Sequence, residues 1–223
     1  MPKPRKQSNK SVLPVLHIYC EGEKTEPNYL KGYINKFYPG SRRYKVVEIE
    51  ETKKNTPVQL VTEATIRKKD RSTPRDDEFW VVYDRESVAK YSDALHSKAY
   101  NKATSNAINV ALTNVCFEVW ILLHLIESNA CYSSYDDLRS RSPLRSELRK
   151  RGIADYDKSD TTIFDAISRD IETAKKRAER MNQATLTSSF DTENAPYKLN
   201  PYTKVHALLD AIDDFLKSPT DVP

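Results

Sequence analysis

VLHIYCEGEKTEPNYL, residues 15–30, decides the fold: a six-residue, β-rich run that is apolar except for His17 ends abruptly in Glu21, Gly22 and Glu23, and a helical pattern begins directly after them. The helical spacing runs through Tyr29, Leu30, Tyr33, Ile34 and Phe37, with Thr25 ahead of Glu26 and Pro27 predicting an N-cap followed by proline in the first turn. A strand, a tight loop and a helix in this order form half of a βαβ unit. The same alternation repeats downstream. YKVVEIEE (44–51) reads as a second strand and TPVQLVTEATIRKKD (56–70) as a helix opened by Thr-Pro; EFWVVYD (78–84) is apolar on both faces, as a buried parallel strand should be. The polar, helical segment 85–103 leads to a fourth strand, NAINVALTN (106–114), and to a strongly apolar helix over 115–128. Four β-then-α units predict an α/β class: a Rossmannoid parallel sheet of about four strands flanked by helices, because right-handed crossovers place helices on both faces.

Beyond residue 130 the texture changes to helices separated by polar loops, so the expected division is a disordered basic arm over 1–10, an α/β core over 11–130 and a helical extension over 131–223 packed on that core. The chain of 223 residues is long enough for one substantial core. No apolar stretch approaches the ~18–20 residues of a membrane span, the longest (116–126) being interrupted by Glu118, and the N-terminus lacks the apolar region of a secretory signal. A cytoplasmic protein without membrane contact is expected. Three cysteines without a C-x-x-C pair argue for reduced thiols rather than a disulfide framework or a thiolate zinc site. The net charge of +4 permits a phosphate-rich partner without demanding one, and the basic runs 139–151 and 175–180 read equally as solvated helix faces.

Ligands of an open parallel sheet bind beyond the C-terminal ends of its strands. Three acidic features converge there: Glu21 and Glu23 after the first strand, Asp84 and Glu86 after the third, and Glu118 at the start of the helix after the fourth. Each alone is an ordinary turn or helix-dipole acid, but together they repel and lose hydration, and a hard divalent cation relieves both costs. EGEKTE is no Walker A loop, which needs two glycines around four residues before Lys-Ser/Thr, and four glycines in the whole chain exclude a dinucleotide fingerprint.

YCEGEKTEPNYL, FWVVYDRE, TNVCFEVWILLHL and LNPYTKVHALLDAI resemble, in that order, the motifs of the RloB-like (AbiLii-like) family, across residues 13 to about 213. That family's core is similar to the TOPRIM domain of topoisomerases, primases and OLD-type nucleases. The resemblance implies a metal-dependent endonuclease with Mg²⁺ (or Mn²⁺) held by Glu21, Asp84 and Glu86. Glu21 is then also the general acid or base, and Glu118 and His124 are catalytic. Glu86 stands where the family pattern has an aspartate, which keeps the charge on a longer arm. Substrate contacts are expected from Lys24, Arg85, Asn114, Lys158 and His206. The resemblance further implies a nucleic-acid target, RNA (tRNA among the candidates) or DNA, an AAA-type ATPase partner in anti-phage or restriction-associated defence, and is compatible with a homo-oligomer. His124 also reads as a satisfied histidine on an apolar helix, and His206 with Asn200 as caps of the last helix. The competing class is a non-catalytic nucleic-acid-binding or regulatory partner of an ATPase with a vestigial metal site. Nucleotidyl transfer, as in primases, lacks a nucleotide pocket in this sequence.

Overall fold

The computed structural model describes residues 13–40, 46–50, 56–190 and 194–217, so the basic arm predicted over 1–10 lies outside the described residues. Four βα units follow one another: β1 (Val15–Cys20) and α1 (Thr25–Phe37), β2 (Val46–Glu50) and α2 (Pro57–Lys69), β3 (Glu78–Asp84) and α3 (Asp93–Ser105), and β4 (Asn109–Asn114) and α4 (Glu118–Leu125). Then come α5 (Tyr135–Arg141), α6 (Leu144–Lys150), α7 (Thr162–Ile167), α8 (Ile171–Ser188), a two-residue strand β5 (Tyr202–Thr203) and α9 (Val205–Lys217). The sheet order is β2-β1-β3-β4-β5, parallel except for β5, which pairs antiparallel with β4.

Strand alternation splits the core into two layers. Leu16, Ile18 and Cys20 of β1 and Trp80 and Val82 of β3 face one side, where they meet α1, α4 and the later helices. Tyr19, Phe79, Val81 and Tyr83 face the other, against Leu60, Val61 and Ala64 of α2 and Ala99 and Ala103 of α3. Helix signals work locally as expected at α2, where Thr56 Oγ1 accepts the Gln59 amide at 3.4 Å and Pro57 occupies the first turn. At α1 the expected cap is corrected. Lys24 is the capping position, and Thr25 is already helical, its hydroxyl donating to the Lys158 carbonyl at 3.4 Å.

The segment after 131 is not purely helical, because β5 extends the sheet to five strands. Thr203 and Tyr202 pair with Thr113 and Asn114. Its helices share one hydrophobic core with the sheet: Leu138, Leu148, Phe164 and Ile171 join Leu16, Trp80 and Trp120. In α9, Val205, Leu208, Leu209, Ile212 and Phe215 are buried at helical spacing, as an amphipathic helix against that core requires. Much of the basic charge is neutralised locally, with Arg141 on Asp137, Lys150 on Glu147, Arg151 on Asp170 and Lys175 on Asp210. Cys20, Cys116 and Cys131 are free thiols. Among the described residues, no helix is long and apolar enough to cross a membrane.

Candidate active site at the switch point of the sheet

The chain leaves β1 toward β2 on one side and returns to β3 on the other, so the order reverses between β1 and β3. At such a switch point the loops after the two strands diverge and leave a crevice. Glu21 directly follows β1 there, and Asp84 ends β3. The Glu21 amide donates to the Val82 carbonyl at 2.9 Å, which continues the ladder by one residue, and its Oε2 accepts the Asp84 amide at 3.1 Å. Burial pushes the Glu21 carboxyl up to about 7, although the Asp84 amide and the Tyr91 hydroxyl pull it back. Asp84 is 8% exposed. Burial first, then the charges of Glu26, Glu118 and Glu21, drive its carboxyl well above the usual range.

Two helix N-termini deliver two further carboxylates to the same place. Glu26 lies in the first turn of α1 and Glu118 opens α4, where the helix dipoles favour negative charge. Both are buried. Burial, then the charge of Glu118, raises the Glu26 carboxyl. Glu118 Oε1 accepts the Tyr156 hydroxyl at 2.7 Å and lies 3.2 Å from the Lys158 ammonium. Its Oε2 is buried without a hydrogen-bond partner among the described residues, and the Cys116 thiol, a weak donor, interacts with the same carboxylate. Burial works against the charge of Lys158, but Glu118 and Asp84 more than offset it and raise its pKa. Glu86 adopts a left-handed φ of 57°, and its carboxylate accepts from Lys90 at 2.7 Å. Glu21, Glu26, Asp84, Glu86, Lys24 and Lys158 border an open groove of about 370 Å³, with Glu118 behind Lys158.

The residues fit a divalent cation. Several buried or half-buried carboxylates converge, one with an orphaned oxygen, and a cation would offset the burial and the mutual repulsion that raise their pKa values. No three of these carboxylates present oxygens within 4.8 Å of one another among the described residues. That spread suits Mg²⁺, which takes one or two carboxylates and completes its shell with water and phosphate oxygens.

Several expected site residues lie elsewhere in function. His124 is corrected to a core histidine. It is 1% exposed, its Nδ1–H donates to the Trp120 carbonyl at 2.9 Å, and the Tyr29 hydroxyl donates to Nε2 at 2.9 Å. Burial lowers its pKa to about 4, so the ring is neutral. Replacing it by leucine strands the Tyr29 hydroxyl, and His124→Leu is expected to cost about 1–3 kcal/mol in denaturant unfolding. Any activity per folded molecule should remain.

Arg85 is corrected to a loop strap. Its guanidinium is 3% exposed and spent on the Tyr197 and Tyr91 carbonyls and on Asp93, at 2.9, 2.8 and 2.6 Å. Asn114 lines the neighbouring cavity that Glu86 and Asn200 also border rather than the acidic groove, and its Nδ2 donates to the Leu199 carbonyl at 2.8 Å. His206, on α9, is corrected because its charged neighbours are Asp210, Glu179, Lys204 and Lys175, none of them in the groove. Lys24 and Lys158 do border the groove, as expected of phosphate-binding groups.

The residue passed over in the sequence is Glu26, which enters there only as the residue after the expected N-cap Thr25. The available signal was three acids in the six residues 21–26 around one glycine. Gly22 is part of the same device, because a Cβ there would fall on the Glu26 carboxyl group. Gly22→Ala is therefore expected to displace that carboxylate while its melting temperature stays close to wild type, which a crystal structure of the variant run beside thermal denaturation checks.

Fold and site together define an α/β protein with a carboxylate cluster at the switch point of a mostly parallel sheet. The family described as RloB-like protein matches residues 16–212, and the chain belongs to that family. No curated protein and no solved structure matches it.

Proposed function

We propose that the protein is a metal-dependent endonuclease that hydrolyses phosphodiester bonds in nucleic acid at the Glu21–Asp84 groove. The observation that carries the reading is Glu118: fully buried, with an unpartnered oxygen, beside two other buried carboxylates, Glu26 and Asp84. Lys158 neutralises one of these charges, and the remaining carboxylates destabilise the fold when ionised unless a further cation belongs among them. Mg²⁺ or Mn²⁺ bound there supplies charge neutralisation at a scissile phosphate and a lowered pKa for coordinated water.

In this reading Asp84 is the central ligand, with Glu21 or Glu26 as the second carboxylate and water and phosphate oxygens completing the shell. Glu21, titrating at about 7, is matched to passing a proton near neutral pH, taking it from the attacking water or returning it to the leaving oxygen. Lys24 and Lys158 bind flanking phosphate oxygens at the groove wall. The TOPRIM-like character of the core, an RNA target such as tRNA, and an AAA-type ATPase partner in defence belong to the same proposal. They rest on the motif resemblance.

Incubating the purified chain with tRNA, single-stranded RNA and duplex DNA, in Mg²⁺ and in EDTA, tests it. Cleavage of one class that EDTA stops supports the endonuclease. Cleavage undiminished by EDTA contradicts it. The spread of the carboxylates favours one other reading, a nucleic-acid-binding partner of an ATPase with a vestigial site, which predicts binding of the same panel without cleavage.

A further inference from the structure

We infer that His17, Glu48 and Glu50 form a second cation site, on the α2 face of the sheet edge, suited to a borderline transition metal of the Zn²⁺ type. The parallel register pairs His17 with Glu48 and Tyr19 with Glu50, so the period-two alternation puts His17, Glu48 and Glu50 on one face. One ligand atom from each lies within 4.8 Å of the others, the one such set among the described residues. None of the three belongs to the acidic groove.

The imidazole is oriented as a metal ligand requires. His17 is fully buried and stacks on Phe79 with ring centroids 4.6 Å apart. Its Nε2 lies 2.9 Å from Asp77 Oδ2, and Asp77 is itself fixed, its Oδ1 accepting the Val15 amide at 2.9 Å. A carboxylate that holds one ring nitrogen and turns the other toward a cation is the usual surrounding of a metal-bound histidine. Nδ1 faces Glu50 Oε1 at 2.5 Å.

A neutral imidazole carries one N–H and cannot satisfy carboxylates at both nitrogens. A positive charge therefore belongs at Nδ1, either a second proton or a metal ion. Two further facts favour the metal. Glu48 has no role in holding a proton on His17, yet it stands within ligand range; and Glu48 is exposed while Glu50 is half-buried, which gives a cation a path from solvent. One imidazole with two carboxylates suits Zn²⁺ or Mn²⁺ and not a thiol-seeking ion. Ligands of a tetrahedral Zn²⁺ stand about 3.4 Å apart, so Glu50, at the end of β2, has to swing by about 1 Å. Bound there, the ion ties the edge strand β2 to β1 and, through Asp77, to the start of β3.

The test uses the full chain stripped with chelator and titrated with Zn²⁺ against a chromogenic competitor, in an Asp84→Asn background that disables the acidic groove. The expected result is one Zn²⁺ per chain, with X-ray absorption showing nitrogen and oxygen donors and no sulfur. Glu48→Gln, an exposed substitution that leaves the fold intact, should weaken binding by at least about tenfold. His17→Gln should remove it. Absence of stoichiometric Zn²⁺, sulfur in the donor set, or equal affinity in Glu48→Gln overturns the inference and leaves a proton as the charge on His17.

Discussion

Asp84→Asn is expected to lower the proposed metal-dependent cleavage by about 10²–10³-fold, the scale seen when one preorganised charge-stabilising group is lost. The metal-free fold should survive and be at least as stable as wild type at pH 8. Both outcomes follow from one environment. Asp84 is 8% exposed and faces Glu26, Glu118, Glu21 and Glu86, so its ionised form is opposed by burial and by four like charges. Asparagine has the shape of the protonated acid and none of the charge, and it keeps the backbone amide that donates to Glu21 Oε2. A loss of activity through misfolding would appear as a lowered melting temperature. Full cleavage by a folded Asp84→Asn protein would remove the metal site from the mechanism.

Metal-free protein should lose stability between about pH 5 and pH 8, and Mg²⁺ should restore it chiefly at the upper end. Glu21, Glu26 and Asp84 all have carboxyl pKa values raised in the folded state, Glu21 to about 7. Unfolded carboxyls titrate near 4, so above that pH the folded state holds protons that the unfolded state has released. Stability then falls as pH rises. The contribution of Glu21 is complete below about pH 4 and lost as pH passes its folded value near 7. In the proposed reading Mg²⁺ binds the ionised carboxylates and reverses the loss. At a concentration 100-fold above its dissociation constant it adds about 2.7 kcal/mol, or roughly 5–10 °C for a chain of this size. Calorimetry at pH 5.5 and 8, in Mg²⁺ and in EDTA, reads the effect. A shift as large at pH 5.5 as at pH 8, or one that persists in Asp84→Asn, would count against the cluster as its source.

Local signals carried the fold far. β1 to α4 appear in the expected order because each strand is a compact β-branched run and each helix has an apolar period, with Thr56 and Pro57 marking one start by side-chain chemistry. β5 was illegible because two residues have no periodicity. It exists because Asn182 of α8 bonds the backbone of Thr203 from both sides, at 2.7 and 3.0 Å, and the Thr113 and Thr203 hydroxyls meet at 2.9 Å.

The site was legible to the extent that acids follow strand ends: Glu21, Asp84, Glu86 and Glu118 do converge at the switch point. The errors share one cause. Arg85 and Asn114 sit in the right motifs but spend their donors on the 197–199 carbonyls, partners more than 80 positions away in the chain. His124 is sealed by Tyr29, 95 positions away. Glu26 was passed over for the opposite reason. Its helix-start position explains an acid by the dipole alone, and only the third dimension brings Asp84 and Glu118 against it.

Anomalous diffraction from crystals of the full chain soaked in Mn²⁺ tests the central claim most directly. The account predicts a peak in the groove about 2.0–2.3 Å from an Asp84 carboxylate oxygen, with Glu21 or Glu26 as a second protein ligand. A groove without a peak, its carboxylates still protonated around Lys158 in saturating Mn²⁺ at pH 8, would contradict it.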